Sequence, residues 1–182
     1  MTTPHDKPAS NGAPAGRYVV GIDLGTTNSA LAYVDPEQSP WEVHTLPITQ
    51  LVATGEVDHR QTLPSFLYQA TPAEVKSGAL ALPWCASQTL WTTGTLAREE
   101  GSSKAGRVVS SAKSWLSHSG VDRSAALLPW QGDSDVQRLS PVEASAALLQ
   151  HLHDAWNHQF PKHPLAEQDV VITLPASFDE VA

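Results

Sequence analysis

An α/β fold, a mixed sheet with helices packed over it, is what three features of this sequence predict. Residues Tyr18 to Val34 read as two apolar strands joined by a tight turn. The stretch from Ser140 to Asn157 follows a helical period behind a capping box, and Asp169-Val170-Val171-Ile172-Thr173-Leu174 is a continuous apolar strand. A strand, a long connection containing a helix and a further strand is the order of α/β proteins.

The first 17 residues are rich in Pro, Ala, Gly and Ser without periodicity. They bury too little apolar surface to offset the entropy of ordering, so a disordered arm is expected, with the folded domain running from 18 to 182. Order begins at Tyr18-Val19-Val20-Gly21-Ile22-Asp23, turns through Leu24-Gly25-Thr26-Thr27-Asn28, and returns along Ser29-Ala30-Leu31-Ala32-Tyr33-Val34. Apolar residues on both faces make this a buried β-hairpin. A third strand is expected over Trp41 to Leu46, then a polar loop, then an extended segment at Leu63-Pro64-Ser65-Phe66-Leu67-Tyr68. The tryptophan- and proline-containing stretch 71–104 supports no assigned element. From Gly106 the spacing turns helical: Val108, Ala112 and Trp115 share a face, Val109 and Leu116 flank it, and Gly120 closes it. Residues 121–139 read as a surface connection.

The best-signalled element follows. Ser140 is the N-cap, Pro141 takes the first helical position and Glu143 completes the capping box. Val142, Ser145, Leu149, Leu152 and Trp156 are then expected to face the sheet, with Gln150, His153, Asp154 and Asn157 in water. The strand 169–174 is expected to be buried on both faces. A further capping box, Ser177-Phe178-Asp179-Glu180, announces a helix just before Ala182, which suggests an N-terminal piece of a longer protein.

The balance of 11 basic and 19 acidic side chains, a net charge of −8, disfavours nucleic acid or an anionic membrane as partner. The single cysteine, Cys85, makes no internal disulfide, and neither a signal segment nor a membrane-length apolar run is present in the sequence. A reducing, cytoplasmic setting is the expectation.

The hairpin turn combines a carboxylate, a glycine and adjacent hydroxyls. Gly25 permits close approach of the backbone to a ligand, successive turn N–H groups make an anion nest, and Thr26 and Thr27 add hydroxyl donors. Asp23 suits a hydrated Mg²⁺ that bridges to phosphate. A hairpin stabilised by its own Thr hydroxyls, without ligand, has the same spacing. The turn is neither a Walker loop nor a G-x-G-x-x-G fingerprint. Lys113, its stem along Val109 and Leu116, can extend its ammonium past the packed face toward a γ-phosphate, or lie on the surface as an ordinary lysine. His151, His153 and His158 lack metal-ligand spacing and are expected to be solvated. Trp115 and Trp156 are expected in the core.

These residues also carry a resemblance. Val20-Gly21-Ile22-Asp23-Leu24-Gly25-Thr26-Thr27-Asn28-Ser29 resembles the opening phosphate motif of the DnaK-type heat-shock chaperones, the heat-shock protein 70 family. Arg60-Gln61-Thr62-Leu63-Pro64-Ser65 is similar to the family's Arg-x-x-x-Pro-Ser stretch, Ser111-Ala112-Lys113-Ser114-Trp115-Leu116 to the helix bearing its ATPase lysine, and Val171-Ile172-Thr173-Leu174-Pro175-Ala176-Ser177-Phe178 to a strand end. The segments 71–104 and 121–139 depart from the usual pattern, as in a divergent bacterial-like branch.

The resemblance implies the first lobe of an actin-like (ribonuclease H-like) ATPase fold that binds ATP or ADP with Mg²⁺. Gly25, Thr26, Thr27 and Asn28 would surround the phosphates, Asp23 would act through Mg²⁺ and its waters, and Lys113 would position the attacking water. Pro175 would sit at an allosteric strand end that relays nucleotide state. Partners implied are unfolded peptide segments, bound by a domain outside this sequence, and co-chaperones. A second lobe would also lie outside it, so residues 1–182 alone are expected to be inactive. Sugar or carboxylate kinases of the same superfamily, and non-catalytic actin-like regulatory proteins, are the alternatives.

Overall fold

Strand β1 (Val19–Asp23) turns back into β2 (Asn28–Val34) as an antiparallel pair, with Asp23 opposite Ala30. The computed structural model that shows this describes residues 16–85 and 90–173. Along β1, Val20 and Ile22 point into the core while Val19, Gly21 and Asp23 face outward, the two-residue alternation of a strand covered on one face. Short β3 (His44–Thr45) pairs with the far side of β2. The strand expected over Trp41 to Leu46 shrinks to those two residues, because Trp41 and Val43 are 72% and 75% exposed and find nothing to pack on.

The segment expected as a polar loop is instead a hairpin, β4 (Ile48–Ala53) with β5 (Glu56–Arg60). Its turn needs Gly55, whose φ of 75° is left-handed. Buried Gln50 conceals β4 in the sequence. Its carboxamide oxygen accepts from the Thr95 N–H (2.9 Å) and hydroxyl (2.8 Å), and its amide donates to the Thr62 carbonyl at 2.9 Å. A glutamine so satisfied occupies a core position at little cost.

The extended segment expected at Leu63 splits into β6 (Leu63–Pro64), paired with the start of β2, and β7 (Phe66–Gln69). In the stretch left unassigned lie α1 (Pro72–Ser77), β8 (Trp91–Thr93) and α2 (Thr95–Glu100). Helix α1 opens on a capping box of Thr71 and Glu74 with proline at its start, a sequence-level helix signal.

The helix expected from Gly106 is a correction. Val108 and Val109 belong to β9 (Val108–Ser110), which pairs with β7 in a three-stranded sheet, β8-β7-β9. Ser111 then adopts φ 56°, and only Ala112–Leu116 forms helix, α3. Two β-branched residues beside an unpaired strand edge gain more by joining it than by opening a helix. The connection 121–139 is not wholly superficial, since Leu128 and Val136 are buried and Leu128 bridges to Leu139.

Helix α4 (Pro141–Gln159) forms behind the expected capping box, Ser140 accepting from the Glu143 N–H and Glu143 from the Ser140 N–H. Its buried face is Ala144, Ser145, Leu148, His151, Leu152, Ala155 and Trp156. Val142 is exposed and Leu149 only half-buried, so the face lies partly around the helix from the expected one. Trp156 is fully buried and Trp115 packs half-buried against the same core, which also holds Val20, Ile22 and Leu31.

Finally β10 (Asp169–Thr173) lies parallel to β1, completing the order β10-β1-β2-β3 and making the sheet mixed. The expectation of burial on both faces is wrong for β10 within the described residues. Val170, Val171 and Ile172 are 39%, 59% and 41% exposed, and among the described residues β10 pairs with β1 alone. Pro175 and the Ser177 to Glu180 capping box lie outside the described residues, as do residues 1–15 of the expected arm. Arg17, within that arm, pairs with buried Asp35 at 2.9 Å.

Candidate functional site

The turn between β1 and β2 is anchored by Leu24, 4% exposed, while Thr26, Thr27 and Asn28 stand exposed. A Cβ on Gly25 would fall on the Asn28 carbonyl oxygen, so closing the turn already demands glycine. This is a nearer reason for Gly25 than approach to a ligand.

Beneath the turn sits Ser65, 1% exposed. Its hydroxyl donates to the Gly25 carbonyl at 2.8 Å and its N–H donates to the Thr27 carbonyl at 2.8 Å. The Ser29 hydroxyl lies 3.0 Å from that of Ser65 and donates to it, since the Ser65 proton is used on Gly25. Two turn carbonyls are thereby spent on Ser65. The N–H groups of Gly25, Thr26 and Thr27 make no backbone hydrogen bond among the described residues. Successive turn amides without backbone partners among the described residues are the kind of donors an anion nest uses.

Asp23, at the outer end of β1, is exposed, and its Oδ1 accepts a 2.8 Å hydrogen bond from the Thr173 hydroxyl on β10. A single accessible carboxylate suits Mg²⁺, which keeps most of its waters and takes one or two carboxylates, rather than a cage of protein ligands. Among the described residues no group of three or more His, Cys, Asp or Glu converges on one point.

Lys113 begins the second residue of α3 and is half-buried. The pairing of Phe66 with Ser110 puts the residue before the N-cap of α3 opposite the chain neighbour of Ser65, and α3 itself packs on α4. The expected packing of its stem on a continuous helix face does not hold, because Val109 is on β9. Arg60 is not brought to the turn; it pairs with Asp58 within the hairpin at 2.9 Å.

The histidines divide. His158 is exposed and His153 contacts Asp154, but His151 is buried, contrary to the expected solvation. His151 Nε2 donates to the Thr49 carbonyl at 2.8 Å, and Nδ1 accepts from the Thr93 hydroxyl at 2.6 Å. Burial pushes its pKa below the usual imidazole value, against a smaller opposing pull from the Thr49 carbonyl, which favours the neutral ring. Trp84 lies edge-on to the same ring at 5.4 Å. A cavity of about 210 Å³ opens between Trp84, Trp91 and His151, and two others of about 430 and 470 Å³ lie by Arg107 and by His59. None of these three is lined by a residue of the turn.

Sequence reasoning missed Ser65 and Thr173 as parts of the turn's surroundings. For Ser65 the signal was its place at the end of the resembling segment Arg60 to Ser65; for Thr173 only the parallel pairing with β1 discloses it. The chain matches no protein-family model and no curated protein. No described helix is long and apolar enough to cross a membrane.

Proposed function

We propose that this chain carries the phosphate-gripping lobe of an actin-like, ATP-binding and ATP-hydrolysing domain in a DnaK-like molecular chaperone that assists protein folding. The observation that carries the reading is the turn itself: Ser65 holds two of its carbonyls, three successive amides lack backbone partners among the described residues, and Asp23 stands beside them. The motif resemblances, in their shared order along the chain, supply the rest.

In this reading the amides of Gly25, Thr26 and Thr27 and the side chains of Thr26, Thr27 and Asn28 bind phosphate oxygens. Asp23 holds Mg²⁺ through its waters, and the ion, when bound, neutralises charge on the phosphates. Lys113 positions the attacking water and stabilises charge that develops on the transferred phosphoryl group. Preorganisation is the physical advantage, because donors already fixed by Ser65 need no rearrangement as charge develops. Pro175 would pass nucleotide state to a peptide-binding domain, and the setting would be cytoplasmic.

Two substitutions in the full-length protein test this. Lys113→Met is expected to leave ATP affinity largely intact and slow hydrolysis by about a hundredfold or more. Asp23→Asn is expected to weaken ATP binding in Mg²⁺ but not in chelator. Unchanged turnover in the first, or unchanged metal dependence in the second, rejects the corresponding role.

A further inference from the structure

Asp23 and Thr173 are direct register partners at the carboxyl ends of the parallel strands β1 and β10, although 150 residues separate them in sequence. The carboxyl ends of parallel strands are where open α/β sheets present groups to ligands. Here they present one carboxylate and one hydroxyl, joined at 2.8 Å, with the same hydroxyl 3.5 Å from the Ile22 carbonyl. We infer that Thr173 is a positioning residue for Asp23, holding Oδ1 and leaving Oδ2 available to the waters of the Mg²⁺ that would accompany the nucleotide. This rests on the reading of Asp23 given above.

The chemistry of the pair supports the assignment. A carboxylate on an exposed strand end turns freely about its Cα–Cβ and Cβ–Cγ bonds, and a metal held through water binds best when that freedom is already removed. Threonine is β-branched, so its own χ1 is restricted and its hydroxyl stays directed across the ladder. Oδ1 is engaged by Thr173, whereas Oδ2 has no hydrogen-bond partner among the described residues. Outer-shell partners of this kind commonly set metal affinity tenfold or more. A role in strand stability alone would not need the hydroxyl, because water can satisfy it at this exposed edge.

The test is Mg²⁺-dependent binding of ATP to the full-length protein, followed by fluorescence of a labelled nucleotide, with Thr173→Val, Thr173→Ser and Asp23→Asn compared. Thr173→Val preserves shape and removes the donor; Thr173→Ser keeps it. The expected result is a Mg²⁺ midpoint raised about tenfold in Thr173→Val and close to the parent in Thr173→Ser, with binding in chelator the same in all three. Two outcomes overturn the inference alone: an unchanged midpoint in Thr173→Val while Asp23→Asn loses its metal dependence, or equal weakening with and without Mg²⁺ in both threonine variants. Parent-like metal dependence in Asp23→Asn, or no ATP binding by the parent, overturns the reading of the site and this inference with it.

Discussion

His151 is a buried imidazole that accepts one hydrogen bond and donates another, so its neutral form suits the site and its protonated form does not. Its folded-state pKa lies below the ordinary value of 6.5, chiefly because burial penalises the charge. The unfolded chain therefore binds a proton more readily than the folded one, and stability falls as pH drops below 6.5 toward the folded-state value. Urea unfolding followed over that range should show the decline, and His151→Gln should flatten it. A slope unchanged by His151→Gln would assign the effect to other groups. Gly25 and Ser65 act at the same scale by different physics: the glycine leaves space for the Asn28 carbonyl, and the serine takes up two carbonyls that would otherwise compete for the turn's amides.

Elements are held to one another by a few polar joints as well as by apolar area. Helix α1 docks through Glu74, which caps its own N-terminus, accepts from the Tyr68 hydroxyl at 2.7 Å and pairs with Lys104 at 2.9 Å. Burial acts to raise the Glu74 pKa, but hydrogen bonds from Tyr68, Lys104 and Thr71 outweigh it and bring the carboxyl down to about 2. Its stabilising effect is therefore complete above its ordinary value of 4.5 and is lost as pH falls toward about 2. In acid-unfolding experiments Glu74→Gln should lower stability at neutral pH and remove that part of the acid dependence; a neutral-pH stability equal to the parent would show the joint to be inert. The proline-led capping box at Ser140 is legible as a helix start, because a cap is a local arrangement of four residues, whereas the like one at Thr71 lies in the stretch that supports no assigned element. The sheet β8-β7-β9 is not legible, since Val108 and Val109 satisfy a helical period equally well until β7 offers an edge.

For the molecule as a whole, the principal core lies between α4 and the inner face of the mixed sheet, and Trp156 is its largest fully buried side chain. Its ring meets Tyr18, Tyr33 and Phe160 within 5.7 Å, and its Nε1 donates to the His163 carbonyl at 2.8 Å. Trp156→Ala should cost about 3–5 kcal/mol in chemical denaturation, whereas Val142→Ala on the exposed side of α4 should cost well under about 1 kcal/mol. Similar losses at the two positions would contradict this packing.

The candidate site is assembled at this largest scale from residues 23–28, Ser65 and Thr173. By itself the sequence determined the β1–β2 hairpin, the turn with its carboxylate and hydroxyls, the start of α4 and the strand at Asp169, because alternation, turn chemistry and capping act over a few neighbouring residues. Only the tertiary structure decided that β10 lies parallel to β1 with exposed side chains, that His151 is buried, and that Ser65 and Thr173 meet the turn. Those outcomes depend on which distant segment supplies a hydrogen-bond partner or covers a face, and local pattern carries no information about segments 40 or 150 residues away.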